Sequence, residues 1–160
     1  MSNFSHINEK NQPKMVDVSG KNITKRTAIA KATMFLGKEI VSLFDPEASG
    51  DLKTKKGPVF QTAIVAGIQA VKKTSEIIPM CHPLLINGID IDINILDGEN
   101  IEVLCKVTIE GKTGVEMEAL TGASATCLTI YDMCKAISQK MVIQEVKLVE
   151  KTGGKSDIKQ

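Results

Sequence analysis

Asp132 and Lys135 stand three residues apart in the run Tyr131-Asp132-Met133-Cys134-Lys135. On a helix that spacing puts both side chains on one face. A carboxylate beside an ammonium can orient the lysine and tune its proton affinity, as general acid–base chemistry requires. On a solvated helix end the same pair is an ordinary ion pair that adds little to stability. Upstream, Thr113 and Glu116 fit the T-x-x-E capping box, in which hydroxyl and carboxylate reciprocally satisfy orphan backbone amides. Glu118 points elsewhere and has no part in that cap.

Two further stretches could hold a ligand. Pro79 and Pro83 pin Met80-Cys81-His82 on both sides. Adjacent Cys and His make a poor chelate and lack the spacing of a zinc site, so no metal is expected. His82 reads better as a hydrogen-bond partner, for a ligand or for the fold. Lys53, Lys55 and Lys56 precede a helix start, where backbone amides and the helix dipole favour anions. That makes a plausible phosphate corner, although a solvated charged loop is the default. The tail Lys151-Thr152-Gly153-Gly154-Lys155-Ser156 lacks the G-x-x-x-x-G-K spacing of a phosphate-binding loop and any following helix.

The elements that must position these residues follow from periodicity. Ala28, Ala30, Ala32, Met34 and Leu36 alternate as one face of a strand, although alanine also favours helix. Residues 38–44 suit two helical turns, and a polar loop follows Asp45-Pro46. Gly57-Pro58 opens a helix with proline at its first position; Phe60, Ala63, Ile64, Gly67, Ile68 and Val71 form its apolar stripe. Residues 89–95 and 101–109 alternate as strands around the turn signal Asp97-Gly98. A long helix after Gly114 carries no charge from Ala119 to Tyr131 and is expected to be buried on nearly every side. Residues 141–149 form the last strand, followed by a glycine-rich tail expected to be mobile unless a ligand orders it. The order β-α-β-β-α-β predicts an α+β, ferredoxin-like sandwich with an antiparallel sheet. Residues 1–13 are expected to be a flexible arm and residues 14–157 a single catalytic domain.

The chain has 160 residues, 20 basic and 19 acidic, for a net charge of +1. That balance offers no global field to attract nucleic acid, and five aromatics are too few for base-stacking platforms. Arg26 is the sole arginine, so a charged site would lean on lysine, whose proton affinity can be tuned. Cys81, Cys105, Cys127 and Cys134 form no C-x-x-C pair and read as reduced, mostly buried thiols of a cytoplasmic protein. The start shows no signal sequence, and no apolar run reaches membrane-spanning length.

Helix length constrains the site. Glu116 and Asp132 would lie about 24 Å apart at 1.5 Å per residue. One small-molecule site using both ends would therefore combine ends from two subunits.

Three segments together carry a family resemblance: Lys56-Gly57-Pro58-Val59-Phe60 with Ala66-Gly67-Ile68-Gln69-Ala70, then Ile78 to Leu84, then Gly111 to Lys135. Over residues 14–157 the chain resembles the MoaC family of molybdenum cofactor biosynthesis, the cyclic pyranopterin monophosphate synthases. The resemblance implies a ferredoxin-like homohexamer, a trimer of dimers with sites between subunits. It also implies conversion of 3′,8-cyclo-7,8-dihydroguanosine 5′-triphosphate to cyclic pyranopterin monophosphate and pyrophosphate. Residue by residue, Asp132, Lys135 and Lys56 match catalytic positions, with Lys56 expected from a neighbouring subunit. Met80, Cys81, His82, Met117 and Glu118 match substrate-binding positions, as do Glu116, Lys21 and Lys151. No cofactor is implied as required, although Mg²⁺ on the triphosphate is allowed. The partners implied are a nucleotide-derived small molecule and other copies of the chain, not nucleic acid or membrane. The rival from another class is a non-catalytic, nucleotide-binding regulatory oligomer.

Overall fold

A computed structural model describes residues 6–47 and 50–160. The alternating segment is strand β1 (Thr24–Phe35), whose Ala28, Ala30, Ala32 and Met34 are fully buried. It lies at the centre of a sheet because it pairs antiparallel on both edges. On one side runs β6 (Asn100–Gly111), with Ala30 opposite Cys105 and Ala32 opposite Val103. On the other runs β7 (Val142–Thr152), whose register shifts between Ile29 and Ala30 and between Thr33 and Met34. Strand β5 (Gly88–Ile95) forms the expected hairpin with β6 around Asp97, whose carboxylate accepts the Glu99 and Asn100 amides.

Two helices cover one face of this sheet, α2 (Val59–Lys72) and α4 (Glu116–Cys134). They cross where Gly67 meets Gly122. A Cβ on Gly67 would collide with Thr126 Oγ1 and stand 2.6 Å from Ile91 Cδ1; one on Gly122 would stand 2.6 Å from Cys105 Sγ and Val71 Cγ2. Bare backbone is what lets the helices approach. With β1, β5, β6 and β7 they complete the β-α-β-β-α-β plan, in sheet order β5-β6-β1-β7.

Four local expectations give way. The segment expected to be two helical turns is a single turn, α1 (Lys38–Val41), followed by strand β2 (Phe44–Asp45). The polar loop contains β3 (Asp51–Thr54), which pairs with β2 and with β4 (Gly57–Pro58) in a small second sheet. The apolar residue of β3, Leu52, is fully buried and explains why the segment folds inward. Pro58 is accordingly extended, with ψ 125°, and precedes the helix rather than beginning it. The tail is not loose: after a turn at Gly153, β8 (Ile158–Lys159) extends the sheet beside β7. Gly153 has φ +81°, and a side chain there would collide with the Lys25 carbonyl.

A fifth concerns α4 itself. Ala119, Ala123, Cys127 and Ile130 are fully buried, but Leu128 is 61% exposed and Met117 37%. Ala119, Gly122, Ala123 and Thr126 are buried toward the sheet and α2; the opposite side, with Met117, Ala125 and Leu128, is more open in the single chain. Of the expected N-terminal arm, residues 1–5 lie outside the described residues, and the remainder is a turn bridged between Ile7 and Pro13. Between α2 and β5, a short helix α3 (Thr74–Ile77) leads into the proline-pinned loop. Among the described residues no helix is long and apolar enough to cross a membrane.

Candidate active site

Chemistry gathers at the two ends of α4. At its C-terminal end the Asp132 carboxylate sits between two ammonium groups. Lys135 Nζ lies 2.7 Å from Asp132 Oδ1, and Lys56 Nζ 2.9 Å from Oδ2. Lys56 also donates to the Asp132 backbone carbonyl at 2.8 Å, so it satisfies part of the helix end as well. Lys56 reaches this point from the turn between β3 and β4. Its amide donates to Thr54 Oγ1 at 3.2 Å, and Gly57, with φ +106°, turns the chain back. The lysine expected from a neighbouring subunit thus comes from the same chain, because the β3–β4 hairpin was not legible as a structure that reaches over α4.

The charges reinforce one another. Hydrogen bonds from Lys135 and then Lys56 hold the Asp132 carboxyl down at about 2. The same carboxylate raises Lys135 above the usual lysine value. Asp132 is therefore an anion throughout the physiological range, and Lys135 is a proton donor before substrate arrives. All three side chains are about half exposed, so the cluster is open to a ligand.

At the N-terminal end of α4 lies an open pocket of about 440 Å³. Seven of the sequence-predicted substrate residues line it: Lys21, Met80, Cys81, His82, Glu116, Met117 and Glu118. The loop after α3 delivers Met80, Cys81 and His82, its first turn closed by the Cys81 amide on the Ile78 carbonyl at 3.0 Å. Lys112 Nζ donates to the Ser19 carbonyl at 2.6 Å and thereby holds the segment carrying Lys21. Lys151, the eighth predicted residue, extends from β7 to pair with Glu116 Oε1 at 3.2 Å.

That pairing replaces the expected capping box. The residue preceding α4 is Val115, and no side chain caps the helix. Thr113 Oγ1 turns instead to the Gly114 carbonyl at 3.5 Å. Glu116 folds back over Gly114, where a side chain would collide with its carboxylate, and meets Lys151 there. The Lys151 ammonium on β7 outcompetes the neutral Thr113 backbone amide for this one carboxylate.

Burial pushes the Glu118 carboxyl up, and the nearby Glu116 charge adds to this. Only 4% of Glu118 is exposed, so this carboxyl can carry a proton closer to neutral pH than an ordinary glutamate. Burial and the Glu118 charge also raise the Cys81 thiol, which makes it a poor nucleophile. The other three cysteines are buried and free, with thiols at about 11 to 12, as expected of reduced core residues.

Three residues beyond the sequence-based set join this end. His6 and Lys155 also line the pocket, and Arg26 shares a smaller adjoining cleft with Glu116, Lys151 and Lys155. Arg26 was the sole arginine, and that rarity was the available signal; Lys155 sat in a tail that the sequence suggested was loose. The two ends of α4 do not meet within one chain. Among the described residues, no group of three or more His, Cys, Asp or Glu side chains could hold a metal ion.

Comparison with known proteins places this geometry. The MoaC family model matches residues 15–154. The chain is 52% identical to the cyclic pyranopterin monophosphate synthase of Bacillus mycoides (strain KBAB4), over 98% of this chain and 96% of that protein. It is 51% identical, with the same coverage, to the protein of that name from Lysinibacillus sphaericus (strain C3-41). It is also 50% identical to molybdenum cofactor biosynthesis protein 1 of Dictyostelium discoideum, over 98% of this chain but 27% of that longer protein. With the family model spanning both charged ends of α4 and the sheet between them, this chain belongs to the MoaC family.

Proposed function

We propose that this chain is a cyclic pyranopterin monophosphate synthase, converting 3′,8-cyclo-7,8-dihydroguanosine 5′-triphosphate to cyclic pyranopterin monophosphate and pyrophosphate. The observation that carries the reading is the near-full-length identity with proteins of that name. The site chemistry agrees with it. The conversion opens the imidazole part of a purine, closes a pyranopterin ring and forms a cyclic phosphate by expelling pyrophosphate. It needs proton transfers and stabilisation of phosphate charge, with no net electron transfer.

Asp132 holds Lys135 and Lys56 as a pair of proton donors. Lys135 exchanges protons with the opening ring, and Lys56 donates to the same ring system or to the phosphates. Lys21, Arg26, Lys151 and Lys155 form the basic side of the pocket and its adjoining cleft, suited to the triphosphate. Fixed cations stabilise the departing pyrophosphate without reorganising at the moment of transfer. His82 and Glu118 hold base and sugar, and Glu118 accepts or returns a proton as the ring rearranges. No cofactor is required in this scheme, and Mg²⁺ would arrive on the triphosphate.

The two ends of α4 act on one substrate only if a second copy completes the site. Glu116 and Asp132 are about 24 Å apart along the helix. A two-fold axis beside Ser124 and Ala125 would lay two α4 helices antiparallel, setting the pocket of one against the lysine pair of the other. The open face of α4, with Met117 and Leu128 exposed and small residues between, suits such a contact. We take the assembly to be a homohexamer, a trimer of such dimers, in the cytoplasm.

Incubation of the purified protein with the cyclic substrate, with pyrophosphate release as readout, tests the reading. Stoichiometric release with formation of the pyranopterin is the expected result. Tight binding without release would overturn it in favour of a regulatory nucleotide binder.

A further inference from the structure

The charged group that the lysine–aspartate cluster does not contain, but rests on, is Asp51. It is fully buried, as few carboxylates are. It sits at the start of β3, where it pairs with Asp45 of β2, and its two oxygens are both engaged. Oδ1 accepts the Phe60 amide at 2.6 Å and Oδ2 the Gln61 amide at 3.0 Å. These are first-turn amides of α2, which have no partner within their own helix. The residue that precedes α2 is Pro58, which has no side chain able to cap it. Asp51 therefore supplies the missing cap from another element, a charge-assisted pair of bonds at the positive end of a helix.

The consequence is mechanical. One end of β3 is locked onto the start of α2. The other end, Thr54, carries the turn from which Lys56 reaches Asp132. Between the two anchors lie Leu52, fully buried, and Lys53. The hairpin thus has a fixed root and a short arm, and the arm ends in an ammonium. The root also lies close beneath the cluster: the charge of Asp51 and that of Lys56 both act on the buried thiol of Cys134, two residues from Asp132.

We propose that Asp51 is a positioning residue for Lys56: its carboxylate, bound to the first amides of α2, fixes the β3–β4 hairpin so that Lys56 meets Asp132 at the end of α4. This rests on the reading of Lys56 as a proton donor in the proposed reaction. Asp51 touches no substrate, and all of its influence on turnover passes through Lys56.

That routing gives the test. Asp51→Asn keeps the shape but loses charge and one acceptor, and Asp51→Ala loses both. A displacement of about 1 Å at a catalytic group can cost up to 10²-fold in rate. On that scale kcat for pyrophosphate release should fall about tenfold in Asp51→Asn and further in Asp51→Ala, with KM within about twofold. Val103→Ala, a buried change in β6 away from both ends of α4, serves as a control for lost stability; it should lower Tm with kcat unchanged. In a Lys56→Ala background, Asp51→Asn should cost no further turnover, whereas a general structural defect would cost the same in both backgrounds. A measurement independent of turnover uses amine acetylation followed by mass spectrometry. Lys56 should label slowly in the wild type and several-fold faster in Asp51→Asn, with labelling of Lys31, which pairs from β1 with Glu102 of β6 at 3.2 Å, unchanged. Unchanged kcat and unchanged Lys56 labelling in a folded Asp51→Asn protein would overturn the proposal. So would equal losses in the wild-type and Lys56→Ala backgrounds. Full activity of Lys56→Ala by itself would instead overturn the catalytic role of Lys56.

Discussion

A mixture of two inactive variants separates a site built within one chain from a site shared by two. Glu118→Gln damages the pocket at the start of α4 and leaves Lys56, Asp132 and Lys135 untouched. Asp132→Asn does the reverse. Along the helix these two residues are about 21 Å apart at 1.5 Å per residue, beyond the span of a single nucleotide-sized reacting centre. Let each site take its pocket from one copy and its lysine pair from the partner. In a mixed dimer, one site then carries both defects and the other carries neither. Random association of equal amounts makes half of the dimers mixed, so about a quarter of all sites are intact in a symmetric two-fold assembly. The assay co-expresses the two variants with different tags, purifies through both, and follows pyrophosphate release. An unselected mixture should recover about a quarter of wild-type turnover per chain, and doubly selected material more, since pure parental dimers are depleted. Activity no higher than the parents, in material shown by mass spectrometry to contain both chains, would refute the shared-site reasoning.

Asp132→Asn should lower kcat on the order of 10²-fold or more with an unchanged circular dichroism spectrum; near-normal turnover would remove Asp132 from the mechanism. The same variant loses the partner that raises Lys135, so the alkaline limb of the pH–rate profile should move to lower pH, as measured by residual turnover. Glu118→Gln should gain stability with pH. The folded state holds the Glu118 proton above its unfolded value of 4.5, so wild-type stability from this group is present below that value and lost as pH rises through the folded one. Tm of Glu118→Gln relative to wild type should be unchanged near pH 4 and increase toward pH 8; the opposite trend would refute the burial argument. Gly67→Ala forces a methyl against Thr126 and Ile91 and should cost about 1–3 kcal/mol in urea unfolding, because helix α2 cannot withdraw from Gly122 without opening the core.

Much of this architecture was legible because burial leaves a periodic trace. Strict alternation located β1, β5 and β6, and a long charge-free run located α4. The small second sheet left no such trace. Its strands are two to four residues long, too short for a period, and the apolar residue of β3, Leu52, is followed by Lys53, Lys55 and Lys56. Lys56 could be matched by resemblance but not placed, since its position depends on that sheet and on the remote cap from Asp51. β8 was hidden for a related reason: a two-residue edge strand depends on its neighbour β7 more than on its own residues. The pocket residues fared better, because Lys21, the Met80–His82 loop and the start of α4 converge around rigid elements that were recognised.

Glu116 shows why the difference matters for chemistry. A closed capping box would have satisfied the first amides of α4 and placed a full negative charge over them. With Glu116 drawn to Lys151 instead, the start of α4 has no side-chain cap, and the nearest carboxylate is offset by a lysine. Glu118, beside it, is pushed toward its neutral form by burial. Both changes lower the negative potential where Lys21, Arg26, Lys151 and Lys155 gather, and an uncapped helix start itself favours anions. In the proposed reaction the triphosphate would therefore sit at this end. The ring held by His82 and Glu118 in that reaction would then face the lysine pair of the partner's α4, whose carboxylate is held down at about 2. A substrate so oriented would carry its phosphates on one subunit's α4 start and present its ring to the partner's α4 end, an arrangement that requires the shared site which the mixed-variant experiment tests.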